Sequence, residues 1–178
     1  DSYWGVAAEY YLYQRTEDGK FIYIQWDNNE SFGITGDGTP RLATPATTDP
    51  FWLPTNSSSG PGQGGPGQPG GGGSTTDSAR PLLTKMWAVD QYKRLYLRAL
   101  AQILREGFNP DDMTNRVNQL ADLIRPHVAE DPNKAYTLAQ FESALNSTVA
   151  NIPGINQFVK ARYAYLRNYL DKAATPAD

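Results

Sequence analysis

Asp27 is the residue in this sequence best suited to bind a metal ion. It directly follows a run of aromatic and β-branched residues, and the next three side chains also carry oxygen atoms: Asn28, Asn29 and Glu30. Carboxylate and amide oxygens are the ligands that hard divalent cations such as Mg²⁺ prefer. The spacing of these residues does not match a calcium-binding loop of the helix-loop-helix type. The alternative is that Asp27 only caps a turn through its own backbone.

The residues before Asp27 have the pattern of a β-hairpin. Tyr10–Gln14 and Phe21–Trp26 are rich in aromatic and β-branched residues, and they flank the turn sequence Glu17-Asp18-Gly19-Lys20. A polar turn that contains Asp-Gly between two such runs is a good hairpin signal. The hairpin would hold Asp27 at the end of its second strand, which is a rigid position from which to present a ligand.

The second half of the sequence predicts helices. Apolar residues recur at helical spacing from residue 90 to about residue 106, and Asn109 is a suitable N-cap for a second helix. We expect Pro126 to bend or end that second helix. Thr137 would cap a short third helix, and a final helix would begin after Pro153.

Apolar periodicity also predicts which face of each helix is buried. In the first of these helices the predicted face comprises Tyr92, Leu95, Tyr96, Ala99, Leu100, Ile103 and Leu104. In the second it comprises Met113, Val117, Leu120, Leu123 and Ile124. In the last it comprises Ile155, Phe158, Val159, Tyr165, Leu166 and Tyr169. Arg162 interrupts this last face, so we expect it either to pair with the acidic turn that contains Asp27 or to remain solvated.

The predicted organisation has four parts. Residues 1–55 contain the hairpin, the acidic turn and a loop. Residues 56–77 form a Gly-, Pro- and Ser-rich insert that we expect to be disordered, because it has too few apolar side chains to offset its ordering entropy. Residues 78–173 are the helical part of the same lobe, and residues 174–178 are a tail. The predicted fold class is α+β, mostly α, with the β-hairpin packed on an antiparallel helical bundle.

Composition limits the possible functions. The net charge of -3 argues against non-specific nucleic-acid binding. The absence of cysteine excludes disulfides and thiolate metal sites, and the single histidine, His127, has a helical context that favours a structural or surface role. We find no apolar run long enough for a transmembrane segment. Because the sequence begins at Asp1 rather than at a methionine, we expect a fragment or a processed chain, and its oligomeric state stays open.

Several motifs together resemble the spore coat protein H (CotH) family of atypical secreted protein kinases. The family pattern is an Asp-containing loop, a Tyr-rich strand, a hairpin, a Trp-Asp pair and a Ser/Thr-Phe-Gly sequence. The matching segments are Asp1-Ser2-Tyr3, Glu9-Tyr10-Tyr11-Leu12-Tyr13, Ile24-Gln25-Trp26-Asp27, Ser31-Phe32-Gly33, Arg80-Pro81-Leu82-Leu83, Ile124-Arg125-Pro126 and Phe158-Val159-Lys160-Ala161-Arg162-Tyr163. The resemblance therefore extends over most of the chain except the glycine-rich insert.

The resemblance implies roles for individual residues. Asp27 would bind Mg²⁺ or Mn²⁺ between the nucleotide phosphates, and Asp1 would be the catalytic carboxylate that faces the acceptor hydroxyl. Glu9 and Asn28 would contribute to binding of the cofactor. Glu9 stands where the family usually has Asn, and Gln25 stands where it usually has Pro, so catalysis could be altered or lost. A structural role for Glu9, as an exposed acid at a strand end, is the alternative.

The implied fold is the C-terminal lobe of an atypical protein-kinase-like fold. The implied activity is transfer of the ATP γ-phosphoryl group to Ser or Thr of a coat or surface protein, in an extracellular, cell-surface or spore-coat location. We expect the 178 residues alone to be inactive, because they contain no phosphate-binding glycine loop followed by a lysine. Two alternatives remain: a catalytically impaired structural or adhesion module, and a domain associated with polysaccharide-degrading assemblies.

Overall fold

A computed structural model of the chain describes residues 3, 9–28, 31–32, 44–53 and 80–174. The chain divides into two compact units. We call residues 1–28 and 51–93 the hairpin unit, and residues 29–50 and 94–178 the helical unit. The described part is mostly helical with one small antiparallel sheet, which confirms the predicted α+β class. The predicted insert at 56–77 and all of the predicted tail beyond Ala174 lie outside the described residues.

The sheet of the hairpin unit has two strands, β1 (Tyr10–Gln14) and β2 (Phe21–Gln25), paired from Tyr10 opposite Gln25 to Gln14 opposite Phe21. The predicted hairpin is therefore confirmed, with its second strand one residue shorter than expected. Gly19 has a φ of 68°, a conformation that glycine adopts without steric cost. Its N–H donates to the Arg15 carbonyl, and this bond closes the turn.

Aromatic rings connect the hairpin to helix α1 (Pro81–Trp87) within the same unit. The Tyr10 ring stacks on Tyr23 at 5.4 Å, and Tyr3 meets the Tyr10 ring edge-on at 5.3 Å. The Tyr3 hydroxyl accepts a hydrogen bond of 2.9 Å from the Leu82 N–H. The first N–H groups of a helix have no partner inside the helix, so this hydroxyl satisfies one of them. At the other end of α1, the Trp87 ring meets Phe51 edge-on at 5.2 Å.

Four further helices follow: α2 (Asp90–Glu106), α3 (Pro110–Glu130), α4 (Leu138–Ala144) and α5 (Ile155–Ala174). The predicted caps are present. The Asn109 side chain accepts from the Asp112 N–H, and Thr137 forms a capping box with Gln140. Pro126 does not end α3, which continues to Glu130. Proline has no N–H, so the carbonyl four residues before Pro126 loses its intrahelical hydrogen bond. Because Pro126 is exposed, water can bind that carbonyl instead.

In the helical unit, α5 packs against α3 and against a 3₁₀ helix at Pro45–Thr47. The buried apolar side chains are Leu104, Ala121, Phe158, Val159 and Leu166. Residues 45–50, which begin with this 3₁₀ helix and which we call the 3₁₀ segment, are held by two polar side chains. Arg162 donates to the Ala46 and Thr48 carbonyls, and the Tyr96 hydroxyl donates to the Pro50 carbonyl at 3.0 Å. The core of this unit therefore lies between α5 and its neighbours, as the apolar face of α5 predicted.

The predicted buried faces of α2 and α3 are partly wrong. In α2, Leu104 is buried as expected, but three residues of the predicted face are exposed large apolar side chains: Tyr92, Leu95 and Ile103. In α3 the buried residue is Ala121, whereas the larger side chains Leu120, Leu123 and Ile124 are exposed. Helix axes approach more closely where the contact residues are small, so α3 can place an alanine rather than its leucines in the packed face.

Candidate functional site

The hairpin brings Glu9 and Asp27 to the same end of the sheet. Beyond the last strand pair, Tyr10 opposite Gln25, the Trp26 N–H donates to the Glu9 carbonyl at 3.2 Å. This bond extends the ladder by one residue pair, so Glu9 lies opposite Trp26 and Asp27 is the next residue along the chain. Antiparallel pairing thus places two carboxylate residues that are far apart in sequence at one end of a single hairpin.

Both residues have a left-handed backbone conformation. The φ angle is 58° at Glu9 and 49° at Asp27. For a residue with a Cβ atom this conformation costs about 1–2 kcal/mol. Such strain often concentrates at functional sites, where it directs a side chain away from the regular strand geometry. The sequence carries no signal for a positive φ at a glutamate, so this feature of the site could not have been predicted.

Glu9 carries a carboxylate oxygen that lacks a partner. Its Oε2 atom is inaccessible to solvent and has no hydrogen bond among the residues that the structure describes. A buried acceptor without a partner costs about 1–3 kcal/mol or more when charged, so a bound cation or an ordered water would be stabilising there. Asp27 and Asn28, in contrast, are exposed. The end of the hairpin therefore offers one sheltered and two accessible oxygen-bearing side chains.

This donor set suits a metal ion that is shared with a phosphate ligand. Within the described ranges there is no cluster of three or more His, Cys, Asp or Glu side chains that could hold a metal by themselves. Mg²⁺ is usually bound by one or two carboxylates, with phosphate oxygens and waters completing its octahedron. Glu9 and Asp27 fit that pattern, with Asn28 as a neighbouring amide. The oxygen-only chemistry of these groups favours Mg²⁺ or Mn²⁺ over softer metals.

The remaining predicted site residues have different outcomes. Asp1 lies outside the described residues, so its catalytic role stays a prediction. Neither alternative predicted for Arg162 describes its contacts, because the guanidinium is half-buried, donates to carbonyls of the 3₁₀ segment and lies 5.7 Å from the centre of the Tyr165 ring. Burial lowers the pKa of Arg162 below its usual value, with Tyr96, Tyr165 and Asp49 acting against that shift. His127 is exposed on α3, which is consistent with its expected surface role.

Fold and site together define a mostly helical α+β protein with a carboxylate pair at the end of an antiparallel hairpin. The family model described as CotH kinase protein matches residues 1–166 of the 178-residue chain. The chain therefore belongs to the CotH kinase family, as its motifs predicted, and is a kinase-related protein. No match was found among the curated proteins or among the solved structures. Among the described residues, no helix is both long and apolar enough to cross a membrane.

Proposed function

We propose that this chain forms the metal-binding side of the nucleotide site of a CotH-type protein kinase. The activity would be transfer of the ATP γ-phosphoryl group to Ser or Thr of a coat or surface protein outside the cell. The observation that carries the proposal is the buried Oε2 of Glu9, which has no partner among the described residues and lies at the same hairpin end as Asp27. Membership of the CotH kinase family supports the use of ATP.

Each of the predicted site residues would have its own role. Asp27 and Glu9 would hold Mg²⁺ or Mn²⁺, and Asn28 would contact the nucleotide next to them. When bound, the metal would neutralise negative charge on the transferring phosphoryl group. Asp1 would orient the acceptor hydroxyl or accept its proton. The left-handed backbone at Glu9 and Asp27 would hold the two carboxylates in position before the nucleotide arrives, which lowers the cost of ordering them on binding.

Glu9 also supports a second candidate function. The family usually has a neutral Asn at this position, and the extra charge of a carboxylate repels phosphate oxygens unless a cation lies between them. A catalytically impaired module that retains the fold for coat assembly or surface adhesion would tolerate this change. The two candidates differ in one property: only the kinase requires metal-dependent ATP binding.

The test is phosphoryl transfer from labelled ATP by the full-length gene product with Mg²⁺ or Mn²⁺, together with calorimetry of ATP binding. Asp27→Ala should lower incorporation at least about a hundredfold, the usual effect of removing a group that stabilises developing charge. Asp18→Asn is the matched control, because it removes a carboxylate from the turn at the opposite end of the same hairpin. Its activity should stay close to that of the parent protein.

Glu9 can be examined in the same assays. Glu9→Asn keeps an oxygen ligand and restores the usual family residue, whereas Glu9→Ala removes the ligand. We expect Glu9→Ala to weaken Mg²⁺-dependent ATP binding more than Glu9→Asn does. If the parent protein shows neither incorporation nor metal-dependent ATP binding, the structural or adhesion function replaces the kinase proposal.

A further inference from the structure

A groove between α2 and α5 in the helical unit has an unusual lining. Its volume is about 460 Å³, and its lining combines arginines with apolar residues. The residues that define it for this argument are Arg94, Leu97, Arg98, Arg105, Arg167 and Leu170. We call this feature the arginine groove. It belongs wholly to the helical unit, whereas Glu9 and Asp27 belong to the hairpin unit.

The arginine groove has an excess of positive charge. Its lining contains four arginines and a single carboxylate, that of Asp171, and Asp171 already has an interaction partner of its own. None of the four arginines forms an ion pair with another residue in the part of the chain that the structure describes. In the same unit, by comparison, Arg125 pairs with both Asp122 and Glu142. A local positive surface on a chain with a net charge of -3 indicates attraction for an anionic partner.

The spacing of the arginines indicates the shape of that partner. Arg94 and Arg98 are one helical turn apart, and Arg105 lies about two turns further along α2. At 1.5 Å per residue, the span from Arg94 to Arg105 is about 16 Å. A single phosphate or carboxylate can contact only part of such a row. An elongated ligand with several acidic groups can contact the arginines on both helices.

The apolar part of the groove lining distinguishes between elongated anions. Leu97 of α2 and Leu170 of α5 belong to the same lining as the arginines. A nucleic acid or polyphosphate presents charged oxygens along its backbone and would gain little from these side chains. A peptide that alternates acidic and apolar residues on one face can use both parts of the lining. Arginine is well suited to the acidic part because it binds carboxylates through two parallel hydrogen bonds.

We propose that the arginine groove binds an acidic amphipathic segment of a partner protein. Carboxylates of the segment pair with Arg94, Arg98, Arg105 and Arg167, and its apolar side chains contact Leu97 and Leu170. Because the arginines are exposed, each ion pair contributes only a modest amount and is weakened by salt. Binding is therefore salt-sensitive and depends on several contacts together. It does not require phosphoryl transfer, so the failure of one proposal leaves the other standing.

The test measures binding of a fluorescent peptide of roughly three helical turns by anisotropy. In this probe, leucines occupy one helical face and glutamates the rest. The comparison probes are a scrambled peptide of the same composition, a polyglutamate of the same length and a single-stranded oligonucleotide. We expect the amphipathic peptide to bind most tightly and to weaken as salt rises. The double variant Arg98→Glu/Arg105→Glu should bind it at least about tenfold less tightly, a loss of about 1.4 kcal/mol.

The matched control is Arg116→Glu, an exposed arginine on α3 outside the groove lining. It changes the net charge in the same direction as the double variant, by half as much. It should leave peptide affinity nearly unchanged. Circular dichroism of each variant checks that the helices remain folded. Equal binding of polyglutamate or the oligonucleotide would overturn the proposal in favour of a general polyanion surface. Unchanged peptide affinity in the double variant, or no binding by the parent protein, would also overturn it.

Discussion

The hairpin unit and the helical unit differ in how their residues are buried. All of the buried residues in the described part of the chain belong to the helical unit, where Leu104 is 2% exposed and Val159 is fully buried. In the hairpin unit no described residue is buried, and Tyr11 and Phe21 are 64% and 66% exposed. The helical unit therefore has a hydrophobic core, whereas the hairpin unit relies on its backbone ladder, ring contacts and turn.

This difference affects how the candidate site is supported. An isolated two-stranded hairpin is only marginally stable in water. Glu9 and Asp27 nevertheless lie at the end of such a hairpin, which Tyr3 contacts through the Tyr10 ring and the Tyr23 hydroxyl. We therefore expect substitutions in the helical unit to change the global free energy of unfolding. Substitutions in the hairpin unit should act locally and alter the site more than the fold.

The largest effect is expected for Leu104→Ala in α2. Removing most of a buried leucine side chain leaves a cavity and should lower the free energy of unfolding by about 2–5 kcal/mol. The measurement is urea denaturation followed by far-ultraviolet circular dichroism. Leu123→Ala on α3 is the control, because that side chain is 68% exposed and its truncation should change stability by no more than about 0.5 kcal/mol. Similar losses in the two variants would contradict the assignment of the core.

A smaller effect is expected for Gly154→Ala, just before α5. A Cβ atom added there would lie 2.5 Å from the Ser147 backbone nitrogen and 2.7 Å from the Asn146 carbonyl carbon. The backbone must shift to relieve that overlap, so we expect a loss of about 1–3 kcal/mol.

Gly107→Ala is the matched control for Gly154→Ala. A Cβ atom at Gly107 would meet no heavy atom within 4 Å, and its φ is not in the left-handed region. Alanine restricts the unfolded chain more than glycine does, so this variant should be unchanged or gain up to about 1 kcal/mol. Thermal unfolding of the two variants gives the comparison. A stability loss for Gly107→Ala as large as that for Gly154→Ala would show that close packing around Gly154 is not the cause.

The smallest effect is expected at the hairpin turn. The Arg15 guanidinium hydrogen-bonds the Asp18 carboxylate and lowers the pKa of that carboxyl below its usual value of 3.8. Because the folded-state pKa is the lower one, the stabilisation is fully present above the usual pKa and is lost as pH falls through the folded pKa. Nuclear magnetic resonance of the Gly19 and Lys20 amides from about pH 5 to pH 2 should therefore report progressive loosening of the turn.

The Asp18→Asn variant should lack this pH-dependent step, because it has no carboxyl to titrate at that position. The circular dichroism of the helices should not change with the step in the parent protein. If helical signal is lost in parallel with the turn, the two units unfold cooperatively, and the contrast between them is smaller than their burial indicates.

Local elements were predicted well because their determinants lie within a few residues of one another. The Asp18-Gly19 pair forms the turn through a side-chain acceptor and a positive φ, both of which belong to those residues themselves. Asn109 and Thr137 cap their helices through bonds that reach only three residues ahead. The motifs around Asp27 likewise identified the family from short segments. Such interactions form in the same way whatever the rest of the chain does.

By itself, then, the sequence determined the hairpin, the helix caps and the family. It also made Asp27 the leading candidate for a metal ligand, which stays a prediction. Only the tertiary structure decided that Ala121 rather than Leu123 faces the core, and that Arg162 binds carbonyls of the 3₁₀ segment. It also decided that arginines of α2 and α5 line one groove. The physical reason is that burial and long-range hydrogen bonds depend on which distant segment covers a residue. Periodicity along one helix contains no information about that partner.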